Sequence, residues 1–349
     1  MSATNVRPSV IITMDDGKIT QIAAKILRIS PEDLTVTELS GDASNRRFFR
    51  LSVATRRKNK NVILVSYPPG ESEAVDHHMR MSDCLRQVGI QTPRIFLRSE
   101  DGERILMEDC GDKILQRAIA GGSRRRILDL YSRALDLLIL MQEKLRPDRQ
   151  PACPAWKTVF DEEKFFAELE FFLKHAIGGY YRRRISGRDR TGFEDYFLRI
   201  CRETLSQPLV FCHRDFHSRN LLLHRGKLRM VDFQDARLGP YTYDAVSLLE
   251  DPYADLPPVI RRELRNYFFS RRPEFMDGIF RRRYERDFAI MTVQRVLKAA
   301  GTFGFMFAEN NKKGYVKYLP AAFRSVKAAL EGLPELAELS ILLEKYCKF

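Results

Sequence analysis

The first third of the chain alternates short apolar runs with polar turns. Residues 19–29, ITQIAAKILRI, place apolar side chains at helical spacing and predict a short opening helix. A second helix is predicted over residues 71–88, within a series of strand-like runs separated by turn residues. The predicted strands are 35–39, 46–53, 61–67, 94–98 and 104–107. Together these runs indicate a small antiparallel sheet with one inserted helix.

Beyond residue 112 the pattern changes to long helical segments. The predicted helices are 124–144, 162–175, 193–205, 259–269, 282–307 and 321–343. Residues 209–232 are the exception, because short apolar runs there alternate with polar turns, as in a loop followed by a hairpin. We therefore predict an α+β, two-lobed molecule, with an N-terminal extension over 1–17, a sheet-containing lobe over 18–109 and a helical lobe over 110–349.

Composition places the chain among soluble globular proteins. Of its 349 residues, 44% are hydrophobic and 30% are charged, and 59 Lys and Arg exceed 46 Asp and Glu to give a formal net charge of +13. Such a field favours anionic ligands of any kind. The arginine runs at 124–126, 182–184 and 281–283 lack the aromatic and glycine pattern of an RNA-binding module, so we interpret them as solvated helix faces and predict no nucleic-acid partner.

The cysteines and the apolar runs suggest a location. Six scattered cysteines without a CxxC pair argue against a zinc site and against a disulfide framework. The N-terminal residues lack the pattern of a signal peptide, and no apolar run approaches the length of a membrane span. We expect a cytoplasmic protein without a membrane partner, whereas the sequence does not indicate an oligomeric state.

Candidate chemistry concentrates between His213 and Asp232. The sequence LVFCHRDFHSRNLLLHRGKLRMVDFQDA holds a strand, a loop, a hairpin and a second polar segment. This order suits phosphoryl transfer, since Asp215 can accept the proton of a substrate hydroxyl, while Asn220 and Asp232 can ligate a magnesium ion that bridges nucleotide phosphates. His213 is interpreted as a structural residue beneath the loop.

The segments HRDFHSRN and VDFQDARLGPYTYDAVSLLED resemble the catalytic and metal-binding segments of the aminoglycoside-phosphotransferase superfamily. The motifs SGDASNRRFFRL, ILMEDCGD and QRVLKAAGTFGF further resemble its cell-wall recycling branch, the kinases that phosphorylate N-acetylmuramate and N-acetylglucosamine at the anomeric hydroxyl. The resemblance spans roughly residues 18–320. It implies a protein-kinase-like fold, ATP and Mg²⁺ as cofactors, and a small-molecule sugar as acceptor.

Carried over residue by residue, the resemblance assigns roles. Asp215 is the catalytic base, Asn220 and Asp232 are the metal ligands, and Asp244 supports the catalytic loop. Glu108 to Cys110 is the hinge whose backbone meets the adenine. The loop over the nucleotide phosphates consists of Ser40, Gly41, Asp42, Ala43 and Ser44.

One departure from the wider kinase pattern concerns the phosphate site. The strand NVILVSYPP carries no lysine at the position where many kinases hold the α- and β-phosphates, as in the sugar-kinase branch. Arg46, Arg47 and Arg50 are the candidate replacements, and strand alternation places Arg46 and Arg50 on one face with Phe48 between them. We favour Arg46 or Arg50.

The acceptor remains open between several classes. In the sugar-kinase branch, the helical segments with Glu168, Arg295 and Lys298 face the acceptor cleft, although exposed helix charges are an equal interpretation. An aminoglycoside, a choline-like amine or another alcohol is the alternative, and the net positive charge favours a neutral or anionic acceptor. A non-catalytic nucleotide-binding protein is the third hypothesis, motivated by the missing lysine and opposed by Asp215, Asn220 and Asp232.

Overall fold

The chain forms an antiparallel sheet followed by a largely helical part. The computed structural model describes residues 20–21, 23–25, 28–39, 45–53, 60–272 and 278–347. The predicted α+β fold, with a small sheet-containing lobe and a mainly helical lobe, is confirmed. None of the helices in these ranges has the length and apolar character needed to cross a membrane.

Five strands make up the N-terminal sheet in the order β1-β2-β3-β5-β4, and all neighbours are antiparallel. The strands are β1 (Leu34–Leu39), β2 (Arg47–Val53), β3 (Lys60–Ser66), β4 (Ile95–Arg98) and β5 (Arg104–Glu108). Alternation along β2 sends Phe49 and Leu51 into the apolar cluster on one face of the sheet. Phe48 packs with the cluster on the other face, which includes Val75. The predicted alternation of this strand is confirmed.

Helix α1 (Ser72–Gln87) joins the sheet to the helical part. Val75 packs on the sheet, whereas Met81 and Leu85 belong to the main core built by the later helices. His77 adds a polar tie, since its Nε2 lies 2.7 Å from the backbone oxygen of Gln234 and must donate to it. Helix α1 is therefore anchored on both sides of the space between the lobes.

The helical part follows the predicted segments closely at its N-terminal end. The helices are α2 (Leu115–Ile119), α3 (Arg124–Lys144), α4 (Glu162–Phe172), α5 (Gly187–Leu205), α6 (Tyr243–Leu249), α7 (Pro258–Ser270), α8 (Gly278–Ala308), α9 (Leu319–Glu331) and α10 (Ala337–Tyr346). N-cap side chains explain where two of the helices begin. Ser123 Oγ accepts the Arg126 N–H before α3, and Asp161 Oδ1 accepts the Lys164 N–H at 2.7 Å before α4.

Three predictions about this part need correction. The single helix predicted over 321–343 is wrong, because the chain breaks between α9 and α10. Gly332 is the C-cap of α9, and Pro334 has no N–H with which to continue the helical hydrogen bonds. The helix predicted over 162–175 ends as α4 and passes into a π-helix, Leu173–Tyr180. The arginines at 182–184 are exposed as predicted, but they lie in a loop rather than on a helix face.

Candidate active site

Two small sheets hold the segment from His213 to Asp232. Strand β6 (Leu209–Cys212) leads into the loop and pairs with β9 (Arg237–Pro240), so the chain returns beside its own start. Between them, β7 (Leu221–His224) and β8 (Lys227–Met230) form the predicted hairpin. The loop and the polar segment after the hairpin are thereby brought to one wall of a cleft with a volume of about 690 Å³.

A buried carboxylate holds the first half of the loop. Asp244, on α6, is fully buried and accepts the backbone N–H groups of His213 at 2.6 Å and Arg214 at 3.1 Å. Burial raises the pKa of Asp244 to about 7, although the two N–H donors oppose this shift. Asp244 thus holds the backbone at the start of the loop.

His213 supports the loop as a neutral ring. Its Nε2 lies 3.0 Å from the backbone oxygen of Val231, and a carbonyl oxygen only accepts, so Nε2 carries the proton. Nδ1 is then free to accept the Asp215 N–H at 3.3 Å. Burial lowers the pKa of His213, which keeps this tautomer neutral. The ring thus connects the loop to the residue before Asp232.

A second buried carboxylate, which the sequence did not predict, holds the other half. Asp251 Oδ2 accepts both the backbone N–H of Ser218 at 2.9 Å and its hydroxyl at 2.5 Å, while Oδ1 accepts the Tyr253 N–H. The signal was the acidic pair that ends VSLLED, directly after the helix of Asp244. One helix and its exit therefore brace both halves of the loop.

Asp215 lies in the cleft beside two cations of α8. Lys298 Nζ is 3.4 Å and Arg295 Nη2 is 3.6 Å from Asp215 Oδ1. Burial alone would raise the pKa of Asp215, but Lys298 and Arg295 outweigh it and hold the pKa well below its usual range. Asp215 is therefore ionised at neutral pH.

Asn220 and Asp232 face the same cleft. Asn220 Nδ2 donates to the backbone oxygen of Asp215 at 3.0 Å, which directs the amide oxygen elsewhere. Asp232 Oδ1 accepts from Arg46 Nη2 and from Gln234 Nε2, each at 2.9 Å. Burial would raise the pKa of Asp232, but these two donors lower it. One amide oxygen and one ionised carboxylate fit a hard divalent cation, which takes few of its oxygen ligands from the protein.

Arg46, which immediately precedes β2, and Arg47 and Arg50 within it have different partners in the structure. Arg46 bonds to Asp232 at the cleft, whereas Arg50 makes hydrogen bonds to both oxygens of Asp112 and to Asp109. Arg47 pairs with Glu38 on the outer face. Of the two favoured cations, Arg46 is the one placed at the candidate metal ligands, and Arg50 instead ties the strand to the segment after β5.

The other residues predicted to contact the nucleotide are the phosphate loop and the hinge. The predicted phosphate loop, residues 40–44, lies outside the described residues. In the hinge segment, Met107 lines the cleft, while the Glu108 side chain accepts the Arg94 N–H at 3.2 Å and Cys110 is buried. An adenine contact there would involve the backbone of the hinge.

Among the predicted acceptor residues, Arg295 and Lys298 line the cleft, and Glu168 does not. Glu168 is buried and accepts Gln294 Nε2 at 3.0 Å. Its charge opposes the effect of burial on Arg295, whose pKa is raised by Tyr243, Asp215 and Glu168 together. Glu168 is thus placed to keep Arg295 charged rather than to touch an acceptor.

One part of the cleft lining is aromatic. Arg219 lies over the ring of Tyr253 at 4.4 Å and 5.9 Å from the ring centre of Tyr315, and Phe303 packs edge-on against Tyr253. All four side chains line the cleft and come from the helical part. The sequence motifs did not predict this wall, because its members are distant along the chain.

Fold and site together define a kinase-like phosphotransferase. The model of the phosphotransferase enzyme family matches residues 35–279, and the chain belongs to this family. A solved, ADP-bound aminoglycoside phosphotransferase shares the fold, with a TM-score of 0.55 at 13% identity over 89% of this chain and 97% of that one. The chain is therefore an enzyme that transfers a phosphoryl group to an alcohol, as predicted.

Two curated relatives are similar to this chain over most of its length. An N-acetylmuramate/N-acetylglucosamine kinase of Pseudomonas aeruginosa is 29% identical over 312 residues, which cover 87% of this chain and 86% of the relative. A kinase of the same name from Neisseria meningitidis serogroup B is 27% identical and covers 90% of this chain and 92% of its own length. These similarities confirm the predicted resemblance to the sugar-kinase branch.

Proposed function

We propose that this chain transfers the γ-phosphoryl group of ATP to the anomeric hydroxyl of N-acetylmuramate or N-acetylglucosamine in the cytoplasm, with Mg²⁺ as cofactor. The observation that carries the proposal is the convergence of Asp215, Asn220 and Asp232 on one cleft. The names of the two curated relatives support the choice of sugar.

Each group at the site has a task in this reaction. Mg²⁺, held by Asn220 and Asp232, would neutralise charge on the nucleotide phosphates. Arg46, beside Asp232, supplies the positive charge that a strand lysine provides in other kinases. Asp215 orients the acceptor hydroxyl and receives its proton.

The ionised state of Asp215 favours an anomeric acceptor. A carboxylate whose pKa is held low is a weak base, and a loose transition state demands proton removal only late in the transfer. The anomeric hydroxyl is the most acidic hydroxyl of a reducing sugar, so a weak base can accept its proton.

A cationic acceptor fits the cleft less well. Arg219, Arg295 and Lys298 line the helical side of the cleft. Glu250 and Asp251 line the cleft as well, but they already accept hydrogen bonds from Ser325 and Ser218. An aminoglycoside or a choline-like amine would meet like charge there, which costs free energy in a partly desolvated site.

The test is an acceptor panel with purified protein, ATP and Mg²⁺. We expect ADP release with N-acetylmuramate or N-acetylglucosamine and none with aminoglycosides or choline. Asp215→Asn should lower kcat by about 10²- to 10⁴-fold, because it removes a general base. Asp148→Asn, an exposed carboxylate change outside the cleft, is the matched control.

The methyl glycoside of N-acetylglucosamine tests the position of transfer. Its anomeric oxygen is blocked, so the proposal predicts no turnover. Turnover of this glycoside would contradict the anomeric assignment, and ATP binding without turnover of any acceptor would favour the non-catalytic alternative.

A further inference from the structure

We propose that Tyr67 and His78 form an uncharged, hydrogen-bonded pair that positions Arg46 for the nucleotide phosphates. The inference rests on the proposed function, in which Arg46 supplies the positive charge that a strand lysine provides in other kinases. It identifies two positioning residues for the part of the phosphate site in which this chain departs from the wider kinase pattern.

Arg46 has three neighbours around its guanidinium. Its Nη2 lies 2.9 Å from Asp232 Oδ1, and its guanidinium carbon lies 5.6 Å and 5.9 Å from the ring centres of Phe48 and Tyr67. Burial lowers the pKa of Arg46, but Asp232 and a hydrogen bond with Tyr67 outweigh burial and raise it. Because a guanidinium only donates hydrogen bonds, the Tyr67 oxygen accepts from Arg46.

The Tyr67 hydroxyl has a second partner in His78. Its Oη lies 2.6 Å from His78 Nδ1, and both residues are buried. Burial lowers the pKa of His78 to about 4, so the ring is neutral at physiological pH. A ring proton on Nδ1 would leave the buried hydroxyl proton without this acceptor, which costs free energy. The hydroxyl therefore donates to Nδ1, and the ring proton lies on Nε2.

This pair joins the sheet to α1 and to the segment of the predicted metal ligand. Tyr67 directly follows β3, and its N–H donates to the backbone oxygen of Glu103 at 2.9 Å. His78 lies on α1, and its ring packs edge-on against Phe233, the neighbour of Asp232, with 5.0 Å between the ring centres. In protein kinases a strand lysine and a helix glutamate form an ion pair. Here an uncharged pair links strand and helix, and the cation comes from the residue before β2.

An uncharged partner suits a cation that binds phosphate. The Tyr67 hydroxyl fixes the direction of the Arg46 guanidinium without adding a negative charge, which would repel the nucleotide. The contact does not involve Asp232, so it does not depend on whether that carboxylate ligates Mg²⁺. The pair thereby keeps Arg46 at the cleft with and without the metal ion.

The experiment measures nucleotide binding without a sugar, by calorimetry with Mg²⁺ and a non-hydrolysable imido analogue of ATP, and then steady-state kinetics with N-acetylglucosamine. Tyr67→Phe removes only the hydroxyl. We expect it to raise the Kd of the analogue and the KM of ATP by about 5- to 50-fold, while the KM of the sugar changes little. Tyr267→Phe is the matched control, because it removes a hydroxyl that donates to Asp136 at 2.7 Å outside the cleft.

A double-mutant cycle shows whether Tyr67 acts through Arg46. Arg46→Met should weaken nucleotide binding more than Tyr67→Phe does, and adding Tyr67→Phe to Arg46→Met should then have little further effect. Equal effects of Tyr67→Phe in the wild type and in Arg46→Met would overturn the positioning role. His78→Leu should weaken binding as Tyr67→Phe does, whereas His78→Asn keeps an acceptor oxygen near the position of Nδ1 and should recover part of the affinity.

The outcomes distinguish this inference from the proposed function. A wild type that binds the nucleotide and phosphorylates the sugar, with unchanged nucleotide affinity in Tyr67→Phe, would overturn the role of the pair alone. A wild type that binds no nucleotide would refute both. Thermal unfolding shows whether each variant is folded. If Tyr67→Phe does not fold, the comparison of His78→Leu with His78→Asn decides, and equal affinities in these two variants would overturn the inference.

Discussion

The state of Asp215 is set by its neighbours rather than by its own chemistry. Burial favours the neutral acid, but Lys298 and Arg295 lie within 3.4 Å and 3.6 Å of one carboxylate oxygen and keep it ionised. An enzyme that relied on strong proton abstraction would need a raised pKa at this position. In the reaction that we propose, the site would instead orient a hydroxyl and neutralise charge, as a loose phosphoryl-transfer transition state requires.

This balance predicts how activity responds to pH. Lys298→Met removes one of the cations that lower the pKa of Asp215, so the pKa rises and the carboxylate is protonated at higher pH. The acid limb of kcat/KM, measured with the uncharged N-acetylglucosamine, should therefore shift to higher pH. Lys298→Arg keeps the charge and should leave the limb nearer that of the wild type. An acid limb that does not move in Lys298→Met would contradict the coupling of these two groups.

Among the secondary-structure elements, α8 has the greatest influence on the site. It carries Arg295 and Lys298, and its glycines permit a close approach to α4 and the π-helix. A Cβ on Gly301 would lie 2.8 Å from the Cα of Phe172, and one on Gly304 would lie 2.6 Å from the backbone nitrogen of Ala176. Backbone atoms cannot move aside as a flexible side chain can, so these contacts require glycine.

Substitution of Gly304 tests this packing. In a helix interior, alanine is more favourable than glycine by about 1 kcal/mol, so helix propensity alone predicts that Gly304→Ala gains stability. We expect the reverse, a loss of about 1–3 kcal/mol in the free energy of unfolding, because the added methyl group overpacks the contact. Gly187→Ala is the control, since a Cβ there has no atom of the described residues within 4 Å. Urea denaturation of both variants decides between propensity and packing.

At the scale of the whole molecule, side chains from both parts of the chain meet at one cleft. Arg46 comes from the sheet side and contacts Asp232. His77 of α1 donates to the backbone oxygen of Gln234, two residues after Asp232. Ligand binding at Asp232 should therefore stabilise the whole chain rather than one lobe. A ligand at a hundred times its Kd adds about 2.7 kcal/mol to the free energy of unfolding.

Asp232→Asn tests whether Asp232 serves to bind Mg²⁺ or is needed for folding. Asp232 has a φ of 63°, a conformation that asparagine also tolerates, so the variant should fold. We expect turnover to fall by at least about a hundredfold, because a neutral amide is a poorer magnesium ligand than a carboxylate. The extra thermal stabilisation that Mg²⁺ adds to ATP should also be largely lost. A variant that fails to fold would identify Asp232 as a structural residue instead, and Asp148→Asn again serves as control.

Local patterns were sufficient for much of this protein. The sheet, its alternation at β2 and the boundaries of α3 follow from periodicity and capping, which act over a few residues. The segment from His213 to Asp232 was recognisable because its chemistry is contiguous along the chain. The break between α9 and α10 was not predicted, because the apolar pattern continues past Gly332 and Pro334, although Pro334 has no N–H with which to continue a helix.

The sequence by itself thus determined the fold class and the kind of reaction, and it predicted the three polar residues that the structure brings to one cleft, Asp215, Asn220 and Asp232. Only the tertiary structure decided which cation reaches Asp232, that Glu168 lies behind the cleft wall, and that Asp251 braces the loop. It also brought Arg219 onto Tyr253, 34 residues away in sequence. The physical reason is that charge pairing and stacking act over a few ångströms in space, and chain spacing alone does not reveal which distant residues the packing of helices will bring within that range.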